Sequence, residues 1–160
     1  MTAAQPDTHR EAMSVRAPIG GTAVGLAGVP DEVFAEAMVG PGTAIDPRRT
    51  DLTACSPIDG TLVKLHPHAF VVVDSDERGV LVHLGIDTVQ LQGAGFTLLA
   101  AEQDTVHAGQ PLVRWDPAAI EAGGRSPVCP VVALDADAGQ LAAVLDDGEV
   151  QPGDPLFTWA

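Results

Sequence analysis

Two histidines stand in runs of strand-forming apolar residues, fifteen positions apart. His83 lies in Gly79-Val80-Leu81-Val82-His83-Leu84-Gly85-Ile86-Asp87, and His68 in His66-Pro67-His68-Ala69-Phe70-Val71-Val72-Val73. A facing pair of imidazoles can hold a metal, pass a proton or carry a phosphoryl group. The segment between them, Asp74-Ser75-Asp76-Glu77-Arg78-Gly79, is polar and ends in glycine, which reads as a hairpin loop. An antiparallel hairpin centred between Ser75 and Asp76 sets His68 opposite His83, with Cβ atoms about 4.5–5.5 Å apart. Side chains alternate along a strand, so His83 shares a face with Leu81, and His68 shares one with Phe70 and Val72. Apolar surroundings favour the neutral imidazole that nucleophilic attack or metal ligation requires. Gly85 permits close backbone approach, and the amides beside it could add donors.

The elements that must position this pair are short strands. The chain has 160 residues with 17 glycines and 13 prolines spread along its length, punctuating segments rich in Val, Leu, Ile and Thr. That pattern predicts an all-β fold, an antiparallel β-sandwich or barrel with two or three short helical turns. Strands are expected over Gly21–Leu26, Gly60–Leu65, Ala69–Asp74, Gly79–Leu84, Phe96–Leu99, Pro111–Trp115, Val128–Leu134 and Pro155–Trp159. Helical turns are expected over Asp31–Met38, with Asp31 as cap, over Asp116–Ala122, and over Ala138–Val144. Residues 1 to about 14 read as a flexible tail, and 15–160 as one domain. Two echoes recur at spacings of about forty residues. Ala17-Pro18-Ile19-Gly20-Gly21-Thr22 matches Ser56-Pro57-Ile58-Asp59-Gly60-Thr61, and Val106-His107-Ala108-Gly109-Gln110-Pro111-Leu112 matches Val150-Gln151-Pro152-Gly153-Asp154-Pro155-Leu156. They suggest a pseudo-duplicated sandwich.

The formal net charge is −14 and Lys64 is the only lysine, which argues against nucleic acid as a partner. An acidic surface suits a basic protein partner or serves solubility. No apolar run is long enough for a membrane span, and the first fifteen residues lack a signal-type apolar stretch, so a cytoplasmic protein is expected. Cys55 and Cys129 form no metal-type pair and read as small residues in a reducing compartment. His9 lies in the tail and His107 in a turn, and neither is assigned a role.

Around the histidines the sequence resembles the glucose-type enzyme IIA (EIIA) family of the bacterial phosphoenolpyruvate-dependent sugar phosphotransferase system. The resemblance rests on Val82-His83-Leu84-Gly85-Ile86-Asp87-Thr88-Val89, His68-Ala69-Phe70, Ser56-Pro57-Ile58-Asp59-Gly60-Thr61, and Val29-Pro30-Asp31-Glu32-Val33-Phe34. It runs from about Val15 to Trp159. It implies a β-sandwich in which His83 accepts a phosphoryl group on Nε2 from the phosphocarrier HPr and passes it to an enzyme IIB (EIIB) domain of a sugar permease. It implies that His68 stabilises the phosphohistidine and is needed for onward transfer. Asp31, Phe34, Gly85 and Asp87 would then form the partner-docking rim, and regulated kinases or permeases would be further partners. No cofactor is implied. His66-Pro67 stands where many members carry a longer bend with a threonine, and His66 has no assigned role. Leu81 and Leu84 replace phenylalanines common at the rim.

The alternative from a different class is a lysostaphin-like zinc metallopeptidase, since His66-x-His68 resembles its ligand pair and His83 could add a third ligand. The aspartate that such a site places after an earlier histidine is absent. No metal is needed for the relay, although His68 and His83 could take an adventitious zinc completed by a partner's carboxylate.

Overall fold

The computed structural model describes residues 11–160. Among these residues, fourteen strands fall into three antiparallel sheets. In chain order they are β1 (Met13–Arg16), β2 (Gly21–Ala23), β3 (Gly42–Pro47), β4 (Leu52–Cys55), β5 (Gly60–His66), β6 (Ala69–Val73), β7 (Gly79–His83), β8 (Phe96–Leu98), β9 (Thr105–Val106), β10 (Pro111–Trp115), β11 (Cys129–Ala133), β12 (Leu141–Ala142), β13 (Glu149–Val150) and β14 (Pro155–Trp159). The helices α1 (Glu32–Ala35) and α2 (Pro117–Ala122) are short. An eight-stranded sheet runs β13-β2-β3-β11-β7-β6-β5-β9, and two three-stranded sheets run β1-β14-β12 and β4-β10-β8. Their inner faces share one core that includes Val15, Leu62, Phe70, Val82, Leu112, Trp115, Val131 and Phe157. The expected β-sandwich is therefore the observed architecture.

The sequence echoes mark a duplicated unit. Gly21 and Thr22 pair with Val150 and Glu149, and Gly60 and Thr61 pair with Val106 and Thr105. The Arg16 amide donates to Pro57 O and the Cys55 amide to Pro18 O, each at 2.9 Å. Likewise the Ala17 amide donates to Asp154 O, and the Ser56 amide to Gln110 O. Each Pro-Ile turn thus bonds to the other half at the equivalent place, with Ile19 and Ile58 both buried.

Several boundaries differ from expectation. Met13 and Ser14 lie in β1 rather than the tail, paired with Trp159 and Thr158; residues 1–10 fall outside the described chain. The third expected helix is a single 3-10 turn over Ala138–Gln140, after which Leu141–Ala142 pairs with β14 as strand.

The β6–β7 register also differs by one step. The pairs are Ala69 with His83, Phe70 with Val82 and Val73 with Gly79, so Asp74 to Arg78 form a loop of odd length. The Asp74 carboxylate fixes that loop. It accepts from the Asp76 amide at 3.0 Å, the Arg78 amide at 2.8 Å and Arg78 Nε at 2.8 Å. Arg78 is only 6% exposed and also donates to Glu11 O and Trp159 O, so the loop is clasped to both ends of the described chain. His68 is therefore not directly opposite His83, and it lies in the turn before β6 rather than on the strand face of Phe70 and Val72. Its carbonyl accepts the Leu84 amide at 2.7 Å.

A second apolar cluster covers the outer face of the large sheet. Leu26, Val29, Phe34, Ala44, Ile86 and Val132 form it, with Leu81 packed against them. The Asp31 carboxylate caps α1 by accepting the Val33 amide at 2.9 Å and the Phe34 amide at 3.4 Å. That cap satisfies first-turn amides of a helix too short to be stable alone. Burial of Phe34 then anchors α1 beside the end of β7.

Candidate functional site

His83 is the last residue of β7 and projects from the outer face, half-buried. Three contacts define its surroundings. Its Nδ1 lies 2.5 Å from Gly85 O. The Phe34 ring lies against it, with centroids 5.3 Å apart and planes at 60°. The His68 ring meets it edge to face, at 5.3 Å and 69°. So the two histidines meet as expected despite the register step, because the turn carries the His68 ring over to the His83 face.

The Gly85 contact determines the chemistry. A carbonyl oxygen only accepts, so Nδ1 must carry the proton and Nε2 the lone pair. The ring is thereby held as one tautomer with its available lone pair at Nε2. Burial lowers the His83 basicity below the ordinary 6.5, against the opposing pull of the Gly85 carbonyl, Asp31 and Asp87. His68 is lowered too, by burial and then by His83 and His66. Both rings are thus biased to the neutral form at neutral pH. Because its basicity is lowered, the neutral His83 ring survives to more acidic pH than a free imidazole does. Any reaction that uses the His83 lone pair is therefore expected to fall off with a midpoint below 6.5 as the pH is lowered. Nitrogen-detected NMR titration of His83 checks this directly; a midpoint above 6.5 contradicts it.

The loop after β7 holds the carbonyl in place. Gly85 has φ +82°, and a Cβ there would come within 2.7 Å of Thr88 Cγ2 and 3.1 Å of Ser126 O. Thr88 is buried and donates to Leu84 O at 2.8 Å, while the Ile86 amide donates to Ser126 O at 2.8 Å. Gly85→Ala is expected to cost about 1–3 kcal/mol of stability, from left-handed backbone and steric overlap. Chemical denaturation measures this, and a cost below about 0.5 kcal/mol would show that the loop relaxes freely.

The other expected site residues are brought to the same place with differing roles. Asp31 and Asp87 both act electrostatically on His83. Asp87 is exposed and adopts the left-handed conformation that starts the 3-10 turn Thr88–Leu91. Phe34 is only 9% exposed, so it backs the imidazole more than it offers surface. Apolar area open to a partner comes instead from residues that sequence reasoning passed over: Val33 at 43%, Met38 at 67% and Val89 at 57% exposure. Val33 adjoins Phe34 and Val89 lies two positions after Asp87, so outward-facing apolar side chains near expected rim residues were the available signal. Arg125 was also missed. It donates to Gln90 at 3.2 Å and lines a cleft with Asp87, Pro30 and Ser126, adding a cation to an acidic margin. Cys55 and Cys129 are free thiols that burial pushes toward the unreactive protonated form.

His66 stacks on His68, with centroids 5.6 Å apart and planes at 22°. That arrangement does not fit a peptidase ligand set, and no cluster of three or more His, Cys, Asp or Glu suited to a metal occurs among the described residues. Among those residues no helix is long and apolar enough to cross a membrane.

Comparison with known proteins identifies the family. Residues 13–139 match the family model for the phosphoenolpyruvate-dependent sugar phosphotransferase system, EIIA 1. The glucose-specific EIIA component of Staphylococcus aureus is 34% identical over 89% of this chain and 86% of that protein. The N-acetylglucosamine-specific EIICBA component of Klebsiella pneumoniae is 38% identical over 97% of this chain. The glucose-specific EIICBA component of Staphylococcus carnosus is 39% identical over 89%. The chain spans only 24% and 21% of the length of those last two. The solved structure of glucose permease IIA from Mycoplasma capricolum superposes with a TM-score of 0.84, covering 93% of this chain and 96% of that one at 34% identity.

Proposed function

The chain belongs to the EIIA 1 family of the phosphoenolpyruvate-dependent sugar phosphotransferase system, and from that premise we propose that His83 is its phosphoryl-carrying residue. The observation that carries the reading is the Nδ1 contact with Gly85 O, which leaves Nε2 as the lone-pair nitrogen. In the forward step the Nε2 lone pair attacks the phosphorus of phospho-HPr. The N–P bond of the donor breaks, and its imidazole leaves with that electron pair. In the onward step a thiolate of an EIIB domain attacks the same phosphorus, the P–Nε2 bond breaks, and His83 returns as the neutral Nδ1-protonated ring. The donor is already a phosphohistidine, so the protein supplies positioning and charge stabilisation. His68, against the His83 ring, donates a hydrogen bond to the phosphoryl oxygens.

Partners dock over the same face. Asp31 and Asp87 attract cationic side chains of HPr and EIIB, and Val33, Val89 and the edge of Phe34 provide apolar contact around Gly85. Regulated kinases or permeases would use this face too, and occupy it according to the phosphorylation state of His83. The chain works where HPr does, in the cytoplasm. Relatives of similar identity are named for glucose, N-acetylglucosamine and β-glucoside, so the sugar is chosen elsewhere in the system.

Incubation with phosphoenolpyruvate, enzyme I and HPr tests the reading. It should yield a phosphoprotein that is labile in acid and stable in base. Absence of label under conditions that charge HPr would overturn it.

A further inference from the structure

Three imidazoles, rather than two, are aligned on the outer face of the large sheet. The register of β5 against β6 shifts between Leu62 and Lys64. This bulge lets Leu62 and Leu65 both enter the core, which strict alternation forbids, and turns Lys64 and His66 outward. His66 pairs with Ala69 on β6, and Ala69 pairs with His83 on β7. Directly paired residues share a face, so His66, Ala69 and His83 form a row across three strands. Ala69 is the small member, and the His68 ring fills the space between the flanking histidines, 5.6 Å from His66 and 5.3 Å from His83.

The two rings near the reaction are held differently. His83 is fixed by Gly85 O, whereas no hydrogen bond to the His68 side chain occurs among the described residues. Ring contacts are what remain to orient it. Pro67 limits the backbone between the two stacked histidines and lies beside Gly93, where a Cβ would come within 3.3 Å of Pro67 Cγ.

We propose that His66 is a positioning residue for phosphoryl transfer, its ring backing His68 and holding that imidazole at the angle from which it reaches a phosphoryl group on His83. This rests on the phosphocarrier reading above. Stacking sets the plane of His68 while leaving both its nitrogens unengaged, so that either can carry the N–H that donates, which a hydrogen-bonded orienter would not allow.

Three variants test the proposal, with phospho-HPr as donor and a glucose-type EIIB domain as acceptor. His66→Ala is expected to lower kcat for onward transfer about tenfold, while KM for EIIB changes less than about twofold. His66→Phe, which keeps a flat ring, is expected to restore kcat to within about threefold; His66→Gln, which keeps polarity without a ring, is expected to stay low. NMR of the unphosphorylated chain reads the stack itself. The His68 ring protons should lose their ring-current shift in the alanine variant and keep one in the phenylalanine variant. Unchanged transfer in a folded His66→Ala, or rescue by glutamine but not phenylalanine, would overturn the proposal. If the wild-type chain takes no label, the phosphocarrier reading fails, and the proposal with it. If the wild type relays normally and only the His66 variants are neutral, the proposal fails alone.

Discussion

His83→Ala is expected to abolish phosphorylation by the phosphoenolpyruvate, enzyme I and HPr chain, a loss of at least about a thousandfold and in practice of all label. The size follows from the absence of a substitute. His68 lies in contact with His83, but no hydrogen bond among the described residues fixes its tautomer as Gly85 O fixes that of His83. His66 is one ring further away, stacked on the far side of His68. Neither has a tautomer-defined Nε2 at the docking face. The variant should still fold, because Ala69 and residue 83 pair through backbone that an alanine retains. The Gly85 carbonyl also keeps a second neighbour, Thr88 Oγ1 at 3.5 Å. A near-wild-type thermal midpoint together with lost label isolates the chemical role, and labelling that persists in the variant would sink the assignment.

What the sequence made legible, and what it did not, divides along local and non-local physics. Pro111–Trp115 and Pro155–Trp159 appear with the same limits as expected, because glycine and proline punctuation sets strand ends locally. Asp31 and Asp116 were readable as caps for the same reason, and both accept first-turn amides. Strand β3 was missed because Thr43, Ala44 and Ile45 are buried consecutively, so no alternation marks it, and Asp46-Pro47 look like turn residues. The pairing step between β6 and β7 depends on the Asp74–Arg78 clasp, and Arg78 is set there by Glu11 and Trp159, 67 and 81 residues away in sequence. A pattern of apolar residues cannot count that loop. The bulge before Lys64 is likewise settled by two leucines competing for the core, and it decides which face His66 takes. A candidate histidine was therefore readable from its neighbours, while the reason that three imidazoles converge was not.

His68→Gln separates two halves of the relay. The variant is expected to accept phosphoryl from HPr within about tenfold of the normal rate, yet to pass it to EIIB at least about a hundredfold more slowly. Acceptance needs a lone pair on His83 and a donor for the incoming oxygens. Gly85 supplies the first through Nδ1, and the glutamine amide can supply the second. Onward transfer needs more. As the P–Nε2 bond lengthens, negative charge stays on the migrating group while the His83 ring becomes neutral, so stabilisation must come from beside it. An imidazole set against His83 can take a proton and become a cation at that moment; an amide cannot. Burial and the neighbouring histidines disfavour that cation while the site is empty, and a phosphoryl group on His83 reverses the balance by placing negative charge in contact with the ring. Glutamine also cannot keep the stack with His66, so it loses orientation together with charge. The measurement is single-turnover transfer from the phosphorylated variant, isolated free of HPr, to an EIIB domain. Normal onward transfer would mean that the cation beside His83 comes from the partner. The partner-supplied cation would then be expected opposite Asp31 and Asp87, and His68 would be reduced to a wall of the docking face.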